Sequence, residues 1–352
     1  MPFAPYQSAP EGSIDQACKR LPESGRIGWR MITGGHANAI RLKLFTQGLG
    51  WRLRRRKVEF VLREWYGRTG NNIQQLLVAI AHAEYFRGFF CVSEAMIAAS
   101  PLKGIMDPFV VDFSGDQQPP DTRFRSDFFH YTELSFDPRD SRRFSFLDWP
   151  YCKWRLPRRN SILGRRYMEA HAHRIAQTFL VPHLNQALKS GESNRFSASD
   201  LVIHLRSGDV GDLSNRLYMT NPLCFYQQLA RHYQRALIVT EPELNHPLAR
   251  QVAALFGKHE IIAQDVASDF AALCHASHLA SSGVGSFVIA AALLSTSLQT
   301  LHFSDLYLHE HLNPPMLAPG GARLISYPLP GFRNAWMSTA NRHELLTAYQ
   351  PT

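Results

Sequence analysis

Between residues 200 and 305 strand-like and helix-like runs alternate at short spacing, and no other feature limits the fold of this chain as much. The strand runs are DLVIHLR, LIVTE, EIIAQ, HLASS and TLHFSD. The helical runs between them are NPLCFYQQLARHYQRA, HPLARQVAALFG, VASDFAALCHAS and SFVIAAALLS. Each helix carries the chain back to the end of the sheet it left, so the strands pair in parallel and helices cover both faces. The expected class is α/β, with ligands at the carboxyl ends of the strands.

The first half reads as a second α/β unit. A poorly ordered arm is expected over 1–26, followed by a short strand IGWRMIT and a helix NAIRLKLFTQGL. A strand VEFVL, a glycine-bearing turn, a helix from Asn72 to Tyr85, a short run GFFCV and a strand PFVVDF come next. Residues 114–161 form an irregular stretch rich in Pro, Asp, Arg and aromatics, a length that in compact domains serves binding or stays mobile. A helix over 163–188 precedes the polar stretch KSGESNRFSAS, which sets the boundary between a domain at 27–189 and one at 190–330. The tail at 331–352 carries Asn341 and Glu344 at capping-box spacing before an apolar stripe. It is expected to form a helix that packs back on the first domain.

At 352 residues, with 45% hydrophobic content and 11% aromatics, the chain can bury a core in each of two domains. Its net charge of +9 implies anionic partners: phosphorylated small molecules, a membrane surface or nucleic acid. The densest basic run, RLRRRK at 52–57, is a solvated face or a peripheral contact with lipid headgroups. No aromatic interleaving accompanies it, which disfavours nucleic acid. The longest apolar run, Phe287 to Leu294, falls far short of the ~20 residues that cross a bilayer. The N-terminal stretch lacks a basic start and an apolar h-region, so the cytoplasm is the expected compartment. Five cysteines, spread out and without a C-x-x-C pair, argue against a disulfide framework and a structural zinc site.

Three short segments carry chemistry. GRTGNN, at 67–72, sets glycines between a strand and a helix, where backbone amides can approach a ligand and the helix start attracts negative charge. Gly67, Gly70 and Asn71 either make an anion or sugar pocket or form an ordinary turn; neither G-x-G-x-x-G nor G-x-x-x-x-G-K-S/T occurs. VIHLRSGD, at 202–209, puts His204 and Arg206 on one face of an otherwise apolar strand and ends in Ser207, Gly208 and Asp209. A cation ending a buried strand needs an anion, which is Asp209 or a ligand phosphate. His204 is a satisfied core histidine or a ligand contact. SSGVGSF, at 281–287, ends a strand in small residues and opens a helix at Ser286. Its free amides and hydroxyls make a second phosphate cradle, or a tight turn with a serine cap.

In this order the segments resemble the GT-B fucosyltransferases, the group that includes the α-1,2, α-1,6 and protein O-fucosyltransferases. The residues that carry the resemblance are Gly67-Arg68-Thr69-Gly70-Asn71, His204-Leu205-Arg206 with Asp209, and Gly285-Ser286-Phe287, within 58–310. The resemblance implies two Rossmann-like domains facing across a cleft, an inverting reaction and no cofactor or obligatory metal beside the GDP-fucose donor. Arg206 would hold the β-phosphate of the leaving GDP, with Asp209 beside it. The Ser286 loop, including Ser282 and Phe287, would hold the diphosphate from the other side. Asn71, flanked by Arg68 and Asn72, would reach across the cleft toward phosphate and sugar, Asp269 would read guanine, and His204 would border the base or ribose.

The residues permit that chemistry on their own terms. Charge that builds on a leaving phosphate is stabilised by fixed cations and amides aimed at it. D-x-D is absent from the sequence, which disfavours the metal-dependent GT-A alternative. The acceptor hydroxyl must lose a proton, and Asp209, Glu241 and Asp116 are the candidate carboxylates. Asn72 after Asn71, and a single arginine in HLRSGD where the family often has two, depart from the family pattern and bear on which sugar is carried. The aromatics Phe128, Phe129, Tyr131, Trp149, Tyr151 and Trp154 either stack on rings of a glycan acceptor or form a buried satellite cluster. The rivals are a transferase of the same fold with another nucleotide sugar and a nucleotide- or polyanion-binding protein without turnover. Nothing in the pattern decides the oligomeric state.

Overall fold

The computed structural model describes residues 59–60, 65, 67–86, 89–113, 160–189, 197–208, 213, 216–242, 246–309 and 311–351. The expected arm at 1–26, the strand and helix after it, the basic run at 52–57, the aromatic stretch at 128–154, Asp116 and Asp209 lie outside these residues.

The first half contributes β1 (Glu59–Phe60), α1 (Thr69–Phe86), β2 (Phe89–Val92), α2 (Glu94–Ala98), β3 (Phe109–Asp112), α3 (Asn160–Ile175) and α4 (Gln186–Lys189). Its described strands form a mixed sheet, β1 parallel to β2 and β2 antiparallel to β3. Helix α3 passes into a π-helical turn at Ala176–Leu180 and a 3-10 turn at Val181–His183, where Pro182 removes a backbone donor. The single helix expected over 163–188 is therefore broken near its end. Helix α1 starts at Thr69 rather than Asn72, because the Arg68 carbonyl already accepts from the amides of Asn71 (2.9 Å) and Asn72 (3.1 Å).

The second half is a six-stranded, wholly parallel sheet. Its strands are β4 (Leu201–Leu205), β5 (Arg235–Thr240), β6 (Lys258–Ile262), β7 (His278–Ala280), β8 (Thr300–Ser304) and β9 (Arg323–Tyr327). The connecting helices are α5 (Leu223–Ala230), α6 (Ala249–Ala254), α7 (Val266–His275) and α8 (Phe287–Leu294), followed after β9 by α9 (Phe332–Ser338) and α10 (Arg342–Ala348). The spatial order is β6-β5-β4-β7-β8-β9. Counted from β4 this is 3-2-1-4-5-6, the doubly wound order whose direction reverses between the first and fourth strands, here β4 and β7. Among these elements β9 and α9 have no counterpart in the sequence expectations. Strand β9 is an edge strand of mixed exposure without a continuous apolar run.

All of β4 is buried, and its two faces serve different layers. Leu201, Ile203 and Leu205 join a cluster with α5, α6, α9 and α10, while Val202 joins one with α7 and α8. Helix α8 is apolar on every side because it is covered on every side. The sheet lies beneath it, and Ile73, Leu76, Leu77 and Ile80 of α1, with Ile175 and Leu180, belong to the same cluster. The side-chain amide of Gln177 donates to the carbonyls of Leu293 (2.8 Å) and Ser295 (3.0 Å), satisfying acceptors that the end of α8 leaves unpaired. The described residues on the two sides of the expected boundary at 189/190 thus share one apolar core.

The tail helix is present and capped as its spacing implies. The Glu344 amide donates to Asn341 Oδ1 (3.1 Å), and Asn341 Nδ2 donates to Glu344 Oε2 (3.0 Å). The described contacts of α10 lie in the second half, however, and not against the first domain where the tail was expected. Leu346 is buried with α5 and α9, and Arg342 Nη1 donates to the Leu213 carbonyl at 2.6 Å. The stripe on α10 matches the apolar layer nearest in sequence. Among the described residues no helix is long and apolar enough to cross a membrane.

Candidate functional site at the switch point of the sheet

At the carboxyl end of β4 the chain leaves the sheet through Arg206, Ser207 and Gly208. Ser207 Oγ accepts from the Glu241 amide (3.2 Å) and lies 3.1 Å from Thr240 Oγ1, which ties the ends of β4 and β5 together. The Arg206 guanidinium stands 4.2 Å over the Tyr218 ring, a cation–π contact that orients it, and Gly285 is beside it on the β7 side. His204 is buried with its ring 5.2 Å from that of Phe287, the first residue of α8. Burial, and after it the charges of Arg206 and His246, hold its pKa down to about 3, so the imidazole is neutral at physiological pH.

Across the switch point, β7 ends in Ser281 and Ser282 and leads to α8. This loop is laced to residues 219–221. The Asn221 amide donates to the Ser282 carbonyl (2.9 Å), the Val284 amide to the Met219 carbonyl (2.8 Å), and Asn221 Nδ2 to the Ser281 carbonyl (2.8 Å). His246 supports it from below. Its Nδ1 accepts from the Leu248 amide (3.1 Å), so Nε2 carries the proton and donates to Thr220 Oγ1 (3.0 Å). Thr220 in turn donates to the Ser282 carbonyl (3.0 Å). Tyr218, Thr220, Asn221 and His246 have no role in the sequence expectations. Asn221 and His246 head helical runs, but a run's pattern does not say what its first residue touches, and only the fold brings these four under the loop.

The lead-in to α1 lies over this edge. Gly67 turns the chain with φ +71°, and Arg68 Nη1 donates to Glu241 Oε1 at 2.5 Å on the β5 side. On the β7 side Ser286 Oγ donates to Asn71 Oδ1 at 2.8 Å. Because its hydroxyl is turned to Asn71, Ser286 precedes α8 without a side-chain cap, and the serine-cap alternative for SSGVGSF does not hold. Gly70 is required by contact: a Cβ there would meet Ser286 Oγ at 2.5 Å and the Phe287 amide nitrogen at 2.6 Å. Residues 67–71 therefore bridge β5 to β7 across β4. Residues 67–71, 204–208 and 281–287, far apart in sequence, meet at one place. Asn72 faces the interior and not the edge; it is buried, and its Nδ2 donates to Gln75 Oε1 at 3.2 Å.

Asp269 lies one turn into α7, the helix packed over β5 and β4. The helix cap is Asp265, whose Oδ1 accepts from the amides of Ala267 and Ser268, both at 3.0 Å. Asp269 is left to accept from the Gln264 amide at 3.2 Å. Burial first, then the charges of Asp265 and Glu241, raise its pKa to about 6, against the lowering effect of that amide. Gln264 lies just past β6, so Asp269 lies on the β6 side of the edge. Among the described residues no cluster of His, Cys, Asp or Glu could hold a metal ion.

A scan against protein-family models finds no match to the chain, and a search of curated proteins finds none either. The chemistry of this edge is then what bears on function.

Proposed function

We propose that the chain is an inverting, metal-independent glycosyltransferase that moves a sugar, fucose foremost, from a GDP-sugar to a hydroxyl of a glycan. The observation that carries this is the meeting of Arg206, the Ser281–Ser286 loop and the Gly67–Asn71 turn at the switch point, where doubly wound sheets bind nucleotides. A GT-B-like pairing of two Rossmann-like units belongs to the proposal, as does a cytoplasmic site of action with the basic run at 52–57 touching membrane headgroups.

In this mechanism the bond from the anomeric carbon to the β-phosphate oxygen breaks, and its electron pair stays on that oxygen. Arg206 and the amides at the start of α8 stabilise the charge in place of a metal. The acceptor hydroxyl attacks the opposite face of the sugar and gives its proton to Asp209, adjacent to Gly208. A screen of GDP-, UDP- and dTDP-sugars by thermal shift, then by release of free sugar, tests the proposal. A GDP-sugar should stabilise the chain by about 2.7 kcal/mol at 100 times its dissociation constant and be slowly hydrolysed. A second reading, a nucleotide binder without turnover, is favoured by the engagement of Arg68 and Asn71 with Glu241 and Ser286. Under that reading bound GDP-sugar is protected from hydrolysis.

Activity should survive excess EDTA; loss on chelation with recovery on adding Mg²⁺ or Mn²⁺ would contradict the mechanism. Two substitutions should divide the site. Asn71→Ala is expected to leave GDP affinity within about threefold yet lower turnover about tenfold or more, as an interaction used in the transition state does. Asp269→Ala should instead weaken GDP binding. A protonated carboxyl cannot accept from both guanine donors, so the affinity that Asp269 supplies should fade as pH drops through about 6. Calorimetry of wild type against Asp269→Asn, at about pH 7.5 and about pH 5, isolates that contribution from the titration of GDP itself.

A further inference from the structure

We infer that Glu241 reads the ribose of the bound nucleotide, accepting hydrogen bonds from its vicinal hydroxyls, and so restricts the donor to ribonucleotides; this rests on the nucleotide-sugar reading above. The argument starts from position. Glu241 follows β5, the second strand in the 3-2-1-4-5-6 count, directly beside the β4/β7 switch point. In doubly wound sheets an acidic residue beyond the phosphate-binding turn hydrogen-bonds the ribose hydroxyl. Here the phosphate groups (Arg206, the Ser286 loop) stand at β4 and β7, Glu241 one strand spacing of about 4.8 Å further along at β5, and Asp269 of α7, bonded to Gln264 just past β6, beyond it. Phosphate, ribose and base sites thus follow one another along the edge in the order in which a nucleotide presents those groups.

The carboxylate itself points the same way. Oε1 is held by Arg68, but Oε2 is buried and takes no hydrogen bond from any described residue. A buried carboxylate oxygen without a donor is costly, and rotation of this partly exposed side chain toward a ligand hydroxyl would satisfy it. Gly208, with φ +58°, leaves room for that oxygen, since a Cβ there would collide with Oε2. Arg68 makes a second contribution. Half-exposed, its cation offsets the Glu241 side chain, which lessens repulsion of a diphosphate held nearby.

The test is calorimetry on the full chain with GDP, 2′-deoxy-GDP, UDP and 2′-deoxy-UDP. Wild type should bind the ribonucleotide at least about tenfold more tightly than its deoxy counterpart, the size of one hydrogen bond to a charged group. Glu241→Gln should shrink that ratio to within about threefold, whereas Arg68→Ala should preserve it, which separates hydroxyl recognition from a latch between the two side chains. Thermal unfolding of each variant checks the fold. If GDP binds wild type but without preference over 2′-deoxy-GDP, or if Glu241→Gln keeps the full preference, the ribose assignment is overturned while the donor reading stands. If none of the four nucleotides binds, the donor reading falls and this inference with it.

Discussion

Arg206→Ala is expected to lower kcat/KM for the donor by a hundredfold or more, about 2.7 kcal/mol of transition-state stabilisation, with the fold retained. The guanidinium sits at the carboxyl end of the strand nearest the switch point, aimed by the Tyr218 ring, and its planar fork matches a phosphate. The negative charge of the reaction grows most on the leaving phosphate, so a fixed cation there contributes more to the transition state than to donor binding. Folding should be retained, because the side chain is only partly buried and stands over the Tyr218 ring at the edge of the sheet. Arg206→Lys restores the charge but not the planar fork, so it should recover only part of the rate. Steady-state kinetics beside a thermal melt decide the matter. Normal turnover in Arg206→Ala would mean that the phosphate is held elsewhere.

Acid should unfold this chain earlier than its net charge alone would lead one to expect. His204, His246 and His302 are buried, and burial is the leading cause that holds their pKa values at about 3, 4 and 4. His302 lies between the hydroxyls of Tyr233 (2.8 Å) and Tyr327 (3.0 Å), so one ring nitrogen can accept only while the ring is neutral. A histidine whose folded pKa lies below its unfolded value of about 6.5 binds protons more readily when unfolded, so stability falls as pH drops through 6.5 toward the folded values. Asp269 acts in the opposite sense. Its pKa, raised to about 6, makes the folded state take up a proton first and offsets roughly one histidine below that pH. Among these four groups, three histidines less one carboxyl leave about two protons taken up on unfolding near pH 5, or about 3 kcal/mol lost per pH unit. Urea midpoints from about pH 7 to about pH 4.5 measure this slope. His246→Gln should remove about one proton from it; an unchanged slope would mean that His246 is not the buried neutral group described.

Much of the second half is legible before any coordinates, and for a local reason. Strand and helix periodicities repeat within a few residues, so DLVIHLR, LIVTE, EIIAQ, HLASS and TLHFSD declare themselves, and their alternation with helices dictates a parallel sheet with ligands at its carboxyl edge. The Asn341–Glu344 cap is local in the same sense. Contacts between distant segments are another matter. Arg68 and Glu241 are 173 positions apart, and Asn71 and Ser286 are 215 apart. Neither pair leaves a mark in the spacing of its own segment. Gly70 reads as a turn glycine, yet its need comes from the start of α8, which presses where a Cβ would be. His246 and Thr220 look like ordinary loop residues until the fold sets them beneath the Ser282 carbonyl. The division of the chain was read from a polar linker, a chain-local signal, whereas α1 packs on α8 because both present apolar faces that only the assembled layers can bury. Sequence alone determined the strand–helix alternation from β4 to β8 and the edge of the sheet at which chemistry can occur, since both follow from short-range pattern, whereas β9 and α9 left no such pattern. Which side chains meet at that edge was decided by tertiary packing, because that depends on where whole helices come to rest.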